Sequence, residues 1–279
     1  MPSVLVTGAA RGIGRATVLR LAAAGWDVVA GVRRAQHGDE LAQEKPGRIS
    51  SLILDLTDEQ QVASLEQALP ARLDAVVNNA GIAVAGPLEA VSPAELRHQL
   101  EVNVVGQAAV TQAVLPRLRE SRGRIVFISS VSGRVATPMF APYNASKFAL
   151  EGMADSLRME LAPWGIRVVL IEPAQTDTDL WRNAEQTFDE TVAAMSPEHR
   201  ELYAKHLEGM RKSIPRAARM AAPVDGVAAT IEKALTASRP RARYVVGANA
   251  RVQAALGAIT PTAVLDRVLS TGLGVPRRA

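Results

Sequence analysis

Tyr143 and Lys147 stand four residues apart in the stretch APYNASKFALEG, which covers residues 141–152. At that spacing on an α-helix, two side chains share one face. A phenol beside an ammonium group is a candidate proton donor, because a nearby cation lowers the phenol's pKa from its usual value of about 10. The pair by itself is equally compatible with two surface side chains, so its meaning depends on the rest of the chain.

The residues around this pair predict a helix over 142–162. Pro142 is tolerated at a helix start, and PWG at 163–165 ends the apolar periodicity. A tyrosine in the first turn would have its pKa lowered further by the helix dipole. Lysine is also scarce here, since only five of the 32 basic residues are lysine. Arginine would not serve equally well in this role, because its pKa is too high and its forked head too bulky.

Two further polar residues precede the pair at defined distances. Ser130 lies 13 residues before Tyr143, and Asn103 lies 27 residues before Ser130. Ser130 follows an apolar run over 124–129, and open α/β sheets place ligands at the carboxyl ends of such strands. An ordinary serine-rich turn is the alternative interpretation.

The apolar runs that must position these residues alternate with segments of helical periodicity. Because the runs are apolar throughout rather than alternating, they predict strands that are covered on both faces. The sequence therefore predicts an α/β fold with a Rossmann-like, doubly wound parallel sheet flanked by helices. The predicted strands are 3–7, 27–32, 49–54, 74–78, 124–129, 167–172 and 243–247, and the predicted helices include 12–24, 58–69, 93–119, 142–162 and 224–238.

The regular alternation of predicted strands and helices ends in the C-terminal third of the chain. Residues 179–222 predict one or two helices without a strand, and a helical region over about 250–270 is interrupted at Pro261. We see no repeat and no interdomain linker. The prediction is a single domain over 1–279 in which 179–222 forms a helical substrate lid.

A glycine-rich turn, VTGAARGIGRA, joins the first predicted strand to the first helix. Gly8, Gly12 and Gly14 permit positive φ and a close approach of a pyrophosphate to the backbone, and the helix N-terminus offers free N–H groups to phosphates. Ile13 lies within this turn. A tight turn without a ligand is the alternative, but the strand–turn–helix setting favours a dinucleotide.

The end of the second strand bears on the choice of dinucleotide. Val32 stands where a carboxylate would hydrogen-bond the ribose of NAD, and Arg33 and Arg34 follow it. Arg11, in the glycine turn, could converge on the same place. Guanidinium groups suit a 2′-phosphate by charge and shape, so NADP(H) is favoured and NAD(H) is possible. Arginines that simply cover the surface are the alternative.

Together these motifs resemble the short-chain dehydrogenase/reductase family over residues 3–180. The order and spacing of the family are kept by TGAARGIG at 7–14, NNAG at 78–81, Asn103 in VNVVG, Ser130 in ISSVSG, and Tyr143 with Lys147 in YNASK. The C-terminal part resembles family members with an enlarged lid, such as hydroxysteroid and retinol dehydrogenases. The resemblance implies homodimers or homotetramers.

The resemblance implies four catalytic residues. Tyr143 is the general acid or base, and Ser130 donates a hydrogen bond to the substrate oxygen. Lys147 binds the nicotinamide ribose and favours the tyrosinate. Asn103 anchors a water that relays protons to Lys147.

The resemblance extends the cofactor site beyond the glycine turn and the arginines. Asp55 and Leu56 match the adenine pocket, and 172–178 matches the segment that covers the nicotinamide, although Ala174 and Thr176 replace the usual glycine and aliphatic residue. The predicted cofactor-binding residues are Gly8, Arg11, Gly12, Ile13, Gly14, Arg33, Arg34, Asp55, Leu56, Asn79, Ala80, Gly81, Tyr143, Lys147, Pro173, Thr176 and Thr178.

Composition limits other kinds of function. The chain has no cysteine, and its four histidines show no metal-like grouping, so no metal site is expected. The net charge of +4 comes with 28 acidic residues, and the short basic run RPRAR lacks aromatic neighbours, so nucleic-acid binding is not expected. With no targeting segment and no apolar stretch long enough for a transmembrane span, the prediction is a cytoplasmic protein.

The predicted activity is an NADP(H)-dependent hydride transfer to or from a small-molecule ketone or alcohol. Apolar residues could line a pocket for a steroid-, retinoid- or lipid-like substrate, or could simply pack the lid onto the domain. They are Val135, Met139, Phe140, Trp181, Phe188, Met195, Tyr203 and Met210. A nucleotide-binding regulator without catalysis is the alternative function, and an interaction protein would leave the glycine turn unexplained.

Overall fold

The apolar runs form the strands of one sheet in the computed structural model, which describes residues 1–276 apart from the side chain of Leu180. The last three residues of the predicted domain, 277–279, lie outside the described residues. The strands are β1 (Ser3–Thr7), β2 (Asp27–Val32), β3 (Ile49–Ile53), β4 (Ala75–Asn78), β5 (Arg124–Ile128), β6 (Arg167–Pro173) and β7 (Arg243–Val246).

All neighbouring strands are parallel, in the order β3-β2-β1-β4-β5-β6-β7. The direction in which strands are added reverses between β1 and β4. This arrangement confirms the predicted doubly wound sheet. The reversal leaves a crevice at the carboxyl ends of β1 and β4, where such sheets bind ligands.

Helices cover both faces of the sheet. On one face, α1 and α11 bury Leu21 and Ile231 against the strands, and α2 adds Leu41. The opposite face is covered by α3, α5 and α6 around the fully buried Phe127. The helices in the first two-thirds of the chain, with the later α11, are α1 (Gly12–Ala23), α2 (Ala35–Glu44), α3 (Glu59–Ala68), α4 (Pro93–Leu100), α5 (Gly106–Ser121), α6 (Ala141–Glu160) and α11 (Val224–Thr236).

A π-helical turn, Glu101–Val105, joins α4 to α5. The sequence predicts one continuous helix over 93–119, and the structure inserts this wider turn within it. The extra backbone residue of a π turn changes which side chains face inward, and such turns are frequent at functional sites. Here the turn places Asn103 in the interior with none of its surface exposed.

The segment after β6 contains four short helices where the sequence predicts one or two. Ser196 accepts a hydrogen bond from the backbone N–H of His199, and Pro197 opens α9, which explains one of the breaks. The helices are α7 (Asp179–Arg182), α8 (Ala184–Ala194), α9 (Pro197–Leu202) and α10 (Ala204–Arg219), and α12 (Ala248–Ile259) and α13 (Thr262–Gly272) follow β7.

The chain after α13 returns to α10 and crosses it at two glycines. A Cβ atom on Gly274 would lie 2.7 Å from the Cα of Gly209, so neither position has room for a side chain. The last described residues are therefore in backbone contact with the helical segment after β6. No helix within residues 1–276 has the length and hydropathy needed to cross a bilayer.

We expect Gly14→Ala to lower the free energy of unfolding by about 1–3 kcal/mol, because the added methyl overpacks a tight interior contact. A Cβ atom there would lie 2.6 Å from Asn79 Nδ2 and closer still to the carbonyl oxygen of Gly8. Urea titration followed by circular dichroism measures the change.

Gly226→Ala is the matched control, since it also replaces a helical glycine but meets no atom within 4 Å. We expect it to raise stability by up to about 1 kcal/mol, because alanine loses less backbone entropy in a helix. Equal effects of the two substitutions would contradict the proposed close packing at Gly14.

Candidate active site

Tyr143 is the third residue of α6 and therefore lies in its first turn, as the sequence predicts. Its ring is half-buried, and the ammonium nitrogen of Lys147 lies 5.7 Å from the ring centroid. Lys147 is 5% exposed, and its Nζ donates a hydrogen bond to the carbonyl oxygen of Ile128 at 2.8 Å. The pair thus lies in the interior at the end of β5, rather than on the surface.

The two pKa values are not those expected from spacing alone. Burial raises the pKa of Tyr143, and the neighbouring Ser130 hydroxyl offsets part of that rise. The expectation of a lowered tyrosine pKa is therefore wrong for this structure. Removal of the phenol from water raises the pKa by more than the expected effects of the lysine and the helix dipole lower it. Burial lowers the pKa of Lys147 to about 8, and the charge of Glu151 opposes that change.

Ser130 lies immediately beyond β5 and caps a short 3-10 turn, Val131–Gly133, by accepting a hydrogen bond from the N–H of Ser132. Its hydroxyl is directed to the carbonyl oxygen of Pro173 at 3.5 Å, which is a weak contact. The hydroxyl is therefore held beside Tyr143 with capacity to donate a stronger bond.

Asn103 joins two parts of the site through its amide side chain. Its Oδ1 accepts from the N–H of Ile82 at 2.9 Å, and its Nδ2 donates to the carbonyl oxygen of Ile82 and to Ser146 Oγ, each at 3.0 Å. Ser146 in turn donates to the carbonyl oxygen of Tyr143. The structure shows no direct bond from Asn103 to Lys147, but places it against the residue before Lys147.

The glycine turn forms the expected cradle between β1 and α1. Gly8 and Gly12 have φ of +64° and +54°, a region that favours glycine. The N-cap residue, Arg11, makes no side-chain bond to the first turn of α1, so the N–H groups there face outward without a side-chain cap. Ile13 packs partly on the core. This arrangement fits the pyrophosphate of a dinucleotide.

The NNAG segment closes the other side of the crevice. The backbone N–H groups of Asn79 and Ala80 both donate to Thr7 Oγ1, and Asn79 Nδ2 donates to the carbonyl oxygens of Thr7 and Gly8. A Cβ on Gly81 would lie 3.3 Å from Asn103 Oδ1. The segment is thus fixed between the glycine turn and Asn103.

At the end of β2, Arg33 and Arg34 are exposed. Neither makes an ion pair or side-chain hydrogen bond with another residue in 1–276. The carboxylate of Asp55 accepts from the N–H and hydroxyl of Thr57, which lowers its pKa, and the charge of Arg33 lowers it further. Leu56 is 6% exposed and belongs to the core. The arginines are therefore near the predicted adenine pocket.

The segment after β6 bends over this crevice. Thr176 forms a β-bridge with Ala222. Thr178 lies beside Gly12, because a Cβ atom on that glycine would lie 3.1 Å from the methyl group of the threonine. Pro173 is the last residue of β6. Ala174 does not have positive φ, so replacing the usual glycine causes no left-handed strain.

Several apolar residues after β6 pack the helices of this segment onto the domain. Phe188, Met195 and Met210 are 5–8% exposed and pack against Met139 in one cluster with Leu207 and Ile214. They therefore attach the helices to the domain. Met139 itself has φ of +67°, which is uncommon for a residue with a side chain, and such backbone strain clusters at active sites and ligand-binding segments.

Sequence reasoning missed two groups of residues. Ser146, Gln99 and Gln107 are fully buried. The two glutamines hydrogen-bond the backbone of residues 80–84, and Ser146 accepts from Asn103 and donates to the carbonyl oxygen of Tyr143. Their only signal is a polar type within an apolar helical pattern. The other group is a set of charged residues around Arg243, and its signal is a glutamate, Glu172, at the end of an otherwise apolar strand.

The chain is similar to short-chain dehydrogenases in sequence and structure. A family model described as short chain dehydrogenase matches residues 2–189. The NADPH-dependent 3-dehydrocapnine reductase of Ornithobacterium rhinotracheale is 32% identical and covers 96% of each chain. Retinol dehydrogenase 5 of Mus musculus is 32% identical, over 99% of this chain and 90% of the relative.

A solved structure agrees with these sequence matches. The crystal structure of a short chain dehydrogenase from Burkholderia cenocepacia J2315 in complex with NADP is 28% identical, with a TM-score of 0.75 over 96% of this chain and 97% of that one. The chain therefore belongs to the short-chain dehydrogenase family, NAD(P)-binding oxidoreductases that act on the CH–OH group of small-molecule alcohols or on ketones.

Proposed function

We propose that this protein is an NADP(H)-dependent oxidoreductase for the carbonyl or secondary alcohol of a hydrophobic small molecule. The observation that carries the proposal is the convergence of Ser130, Tyr143 and Lys147 at the carboxyl end of β5, beside the glycine cradle. In this arrangement a carbonyl oxygen would meet a hydroxyl, a phenol and a cation at the crevice where the dinucleotide binds.

The proposed chemistry divides among these residues. When bound, NADPH supplies the hydride that adds to the carbonyl carbon. Tyr143 gives its phenolic proton to the carbonyl oxygen, and Ser130 donates a hydrogen bond to that oxygen as negative charge develops. The ammonium group of Lys147 stabilises the phenolate that remains, and would bind the nicotinamide ribose. Asn103 holds the loop and helix that align these groups.

The preference for NADP(H) rests on charge. Arg33 and Arg34 directly follow Val32, the last residue of β2, which stands where a carboxylate would select NAD, and both arginines are exposed. Arg11 is less available, because it lies 3.5 Å from Asp179 as an ion pair. A 2′-phosphate would pair with Arg33 or Arg34 through charge-assisted bonds. The relative named as NADPH-dependent and the neighbour solved with NADP support the same preference.

The proposed hydrophobic substrate rests on the residues that precede Tyr143. Met139 and Phe140 belong to the apolar cluster beneath helices α8 and α10, which we propose to be the substrate lid. Tyr203 ties this lid to the domain by donating a hydrogen bond to Glu89 at 2.8 Å. The name of one relative, retinol dehydrogenase 5, supports an apolar alcohol.

We expect Tyr143→Phe to lower kcat by about 10²–10⁴-fold, because the substitution removes the proton donor. The binding of NADPH, followed by its fluorescence, should remain because the ring is retained. Consumption of NADPH and NADH with a panel of apolar ketones measures the activity.

Tyr244→Phe is the control for the loss of a phenolic hydroxyl elsewhere, because Tyr244 lies on the edge strand β7 and its hydroxyl accepts a hydrogen bond from the backbone N–H of Arg241, and we expect it to keep near-normal turnover. Near-normal turnover of Tyr143→Phe would exclude Tyr143 as the proton donor. Tight NADPH binding by the parent protein with no hydride transfer in stopped-flow measurements would instead favour the alternative, a non-catalytic nucleotide-binding regulator.

We expect Arg33→Gln to raise the KM for NADPH by about tenfold or more and to leave the KM for NADH unchanged, since one charge-assisted bond to phosphate contributes about 1.5–3 kcal/mol. Steady-state kinetics with both cofactors test this. Arg20→Gln is the control, because Arg20 lies in the last turn of α1, at the end away from the glycine turn, and pairs with Glu232. Equal changes for NADPH and NADH would contradict a 2′-phosphate contact.

A further inference from the structure

Behind the proposed catalytic residues lies a network of charged side chains centred on Arg243 of β7. Arg243 Nε lies 3.0 Å from Glu151 Oε2 and 3.3 Å from Glu172 Oε1, and its Nη2 lies 2.6 Å from Asp155 Oδ2. Arg134 adds a second cation, 3.4 Å from the other oxygen of Glu172. We call these five residues the Arg243 network.

Members of the network belong to three elements of the candidate site. Glu151 follows Lys147 by one helical turn on α6, and Glu172 directly precedes Pro173. Arg134 follows the 3-10 turn that begins after Ser130. The ion pairs therefore join the helix that carries Lys147, the strand that ends at the nicotinamide segment, and the serine turn.

Burial makes this network energetically costly. The side chain of Glu172 is fully buried and that of Glu151 is 9% exposed. One oxygen of each carboxylate, Oε1, has no hydrogen-bond donor within residues 1–276. Apolar side chains of similar volume often stabilise a fold as well as buried ion pairs do. Stability alone is therefore a weak reason for these buried charges. Their effect on a neighbouring charged group is a second reason.

That group is Lys147. Glu151 and Lys147 are both buried and lie four residues apart, so they share a face of α6. The ammonium group of Lys147 has the carbonyl oxygen of Ile128 as its hydrogen-bond acceptor, and no carboxylate lies within 4.0 Å of it in residues 1–276. The carboxylate of Glu151 is thus the nearest compensation for its charge along the helix.

Arg243 holds Glu151 in place. Within residues 1–276, the charged groups that face Glu151 are Arg243 from β7, Glu172 from β6, Arg134 from the serine turn, and Lys147 and Asp155 from α6. Glu172 has its pKa raised, first by burial and then by the charge of Glu151.

A cavity of about 300 Å³ adjoins the network and is lined by Arg134, Glu151 and Arg243 together with small residues of α12. A polar cavity of this size admits water. Arg134 and Arg243 are partly exposed to solvent, whereas Oε1 of Glu151 is closed to it.

We propose that Glu151, held by Arg243, is a positioning residue that keeps Lys147 protonated for the reaction. The importance for catalysis rests on the proposed function, whereas the electrostatic link between Glu151 and Lys147 does not. The link is consistent with the pKa of Lys147, which burial lowers to about 8 and which Glu151 raises toward its usual value.

The test is an NMR titration of the lysine side chains, which requires neither substrate nor cofactor. The chain has only five lysines, so the ¹³Cε signals are few, and Lys147 is assigned by Lys147→Arg. In the parent protein we expect one signal to titrate near pH 8, well below the usual lysine value of about 10.4. In Glu151→Gln we expect this midpoint to fall by about one pH unit, because a nearby negative charge is lost.

Glu208→Gln is the matched control, since Glu208 pairs with the exposed Lys212 at the same spacing of four residues. We expect it to leave the Lys147 midpoint unchanged. If Glu151→Gln does not fold, as judged by circular dichroism, Glu151→Ala carries the same expectation. An unchanged Lys147 midpoint in the folded Glu151 variant, or a parent midpoint near that of an ordinary lysine, overturns the proposal.

Kinetics then separate this proposal from the proposed function. If the parent reduces ketones, we expect the alkaline limb of its kcat profile to move to lower pH in Glu151→Gln by the same amount as the NMR midpoint. A limb that does not move overturns the positioning role. If the parent transfers no hydride to any carbonyl, the proposed function fails, while the titration still decides the link between Glu151 and Lys147.

Discussion

One amide side chain holds the two halves of the candidate site together. Asn103 satisfies both backbone groups of Ile82 and also donates to Ser146, so the loop after β4 and the helix that carries Tyr143 share one hydrogen-bonded residue. Such a group is costly to bury unless all its bonds are made. The π turn between α4 and α5 brings Asn103 inward, and the placement of the loop, the glycine cradle and the tyrosine therefore depends on it.

Electrostatics in this site follow from burial more than from spacing along the helix. Tyr143 and Lys147 lie on one face of α6, as their spacing of four residues requires. Exclusion from water nevertheless raises the pKa of Tyr143 and lowers the pKa of Lys147. Both shifts favour the neutral forms of the two groups. The carboxylate of Glu151 acts against the shift at Lys147.

The sequence predicted the fold and the position of the tyrosine well, because those features depend on local pattern. Continuous apolar runs marked buried parallel strands, and Pro142 with PWG marked the ends of α6. The π turn could not be predicted, since apolar periodicity on both sides of it is helical. The contacts of Arg243 were equally inaccessible: the residue meets Glu151 and Glu172, which are 92 and 71 positions away in the sequence, and no pattern specifies such pairs. Four helices replaced the predicted one or two after β6, and a cap at Ser196 with the proline that follows it accounts for the break between α8 and α9.

The crossing of Gly209 and Gly274 has a mechanical consequence. The two backbones touch without side chains between them, so α10 cannot move relative to the last described residues at that point unless the contact is lost. At the other end of the helical segment, Ala222 is hydrogen-bonded to the backbone of Gln175 and Asp177. The segment 179–222 is thus attached both to the loop after β6 and to a glycine that lies almost 100 positions beyond that loop.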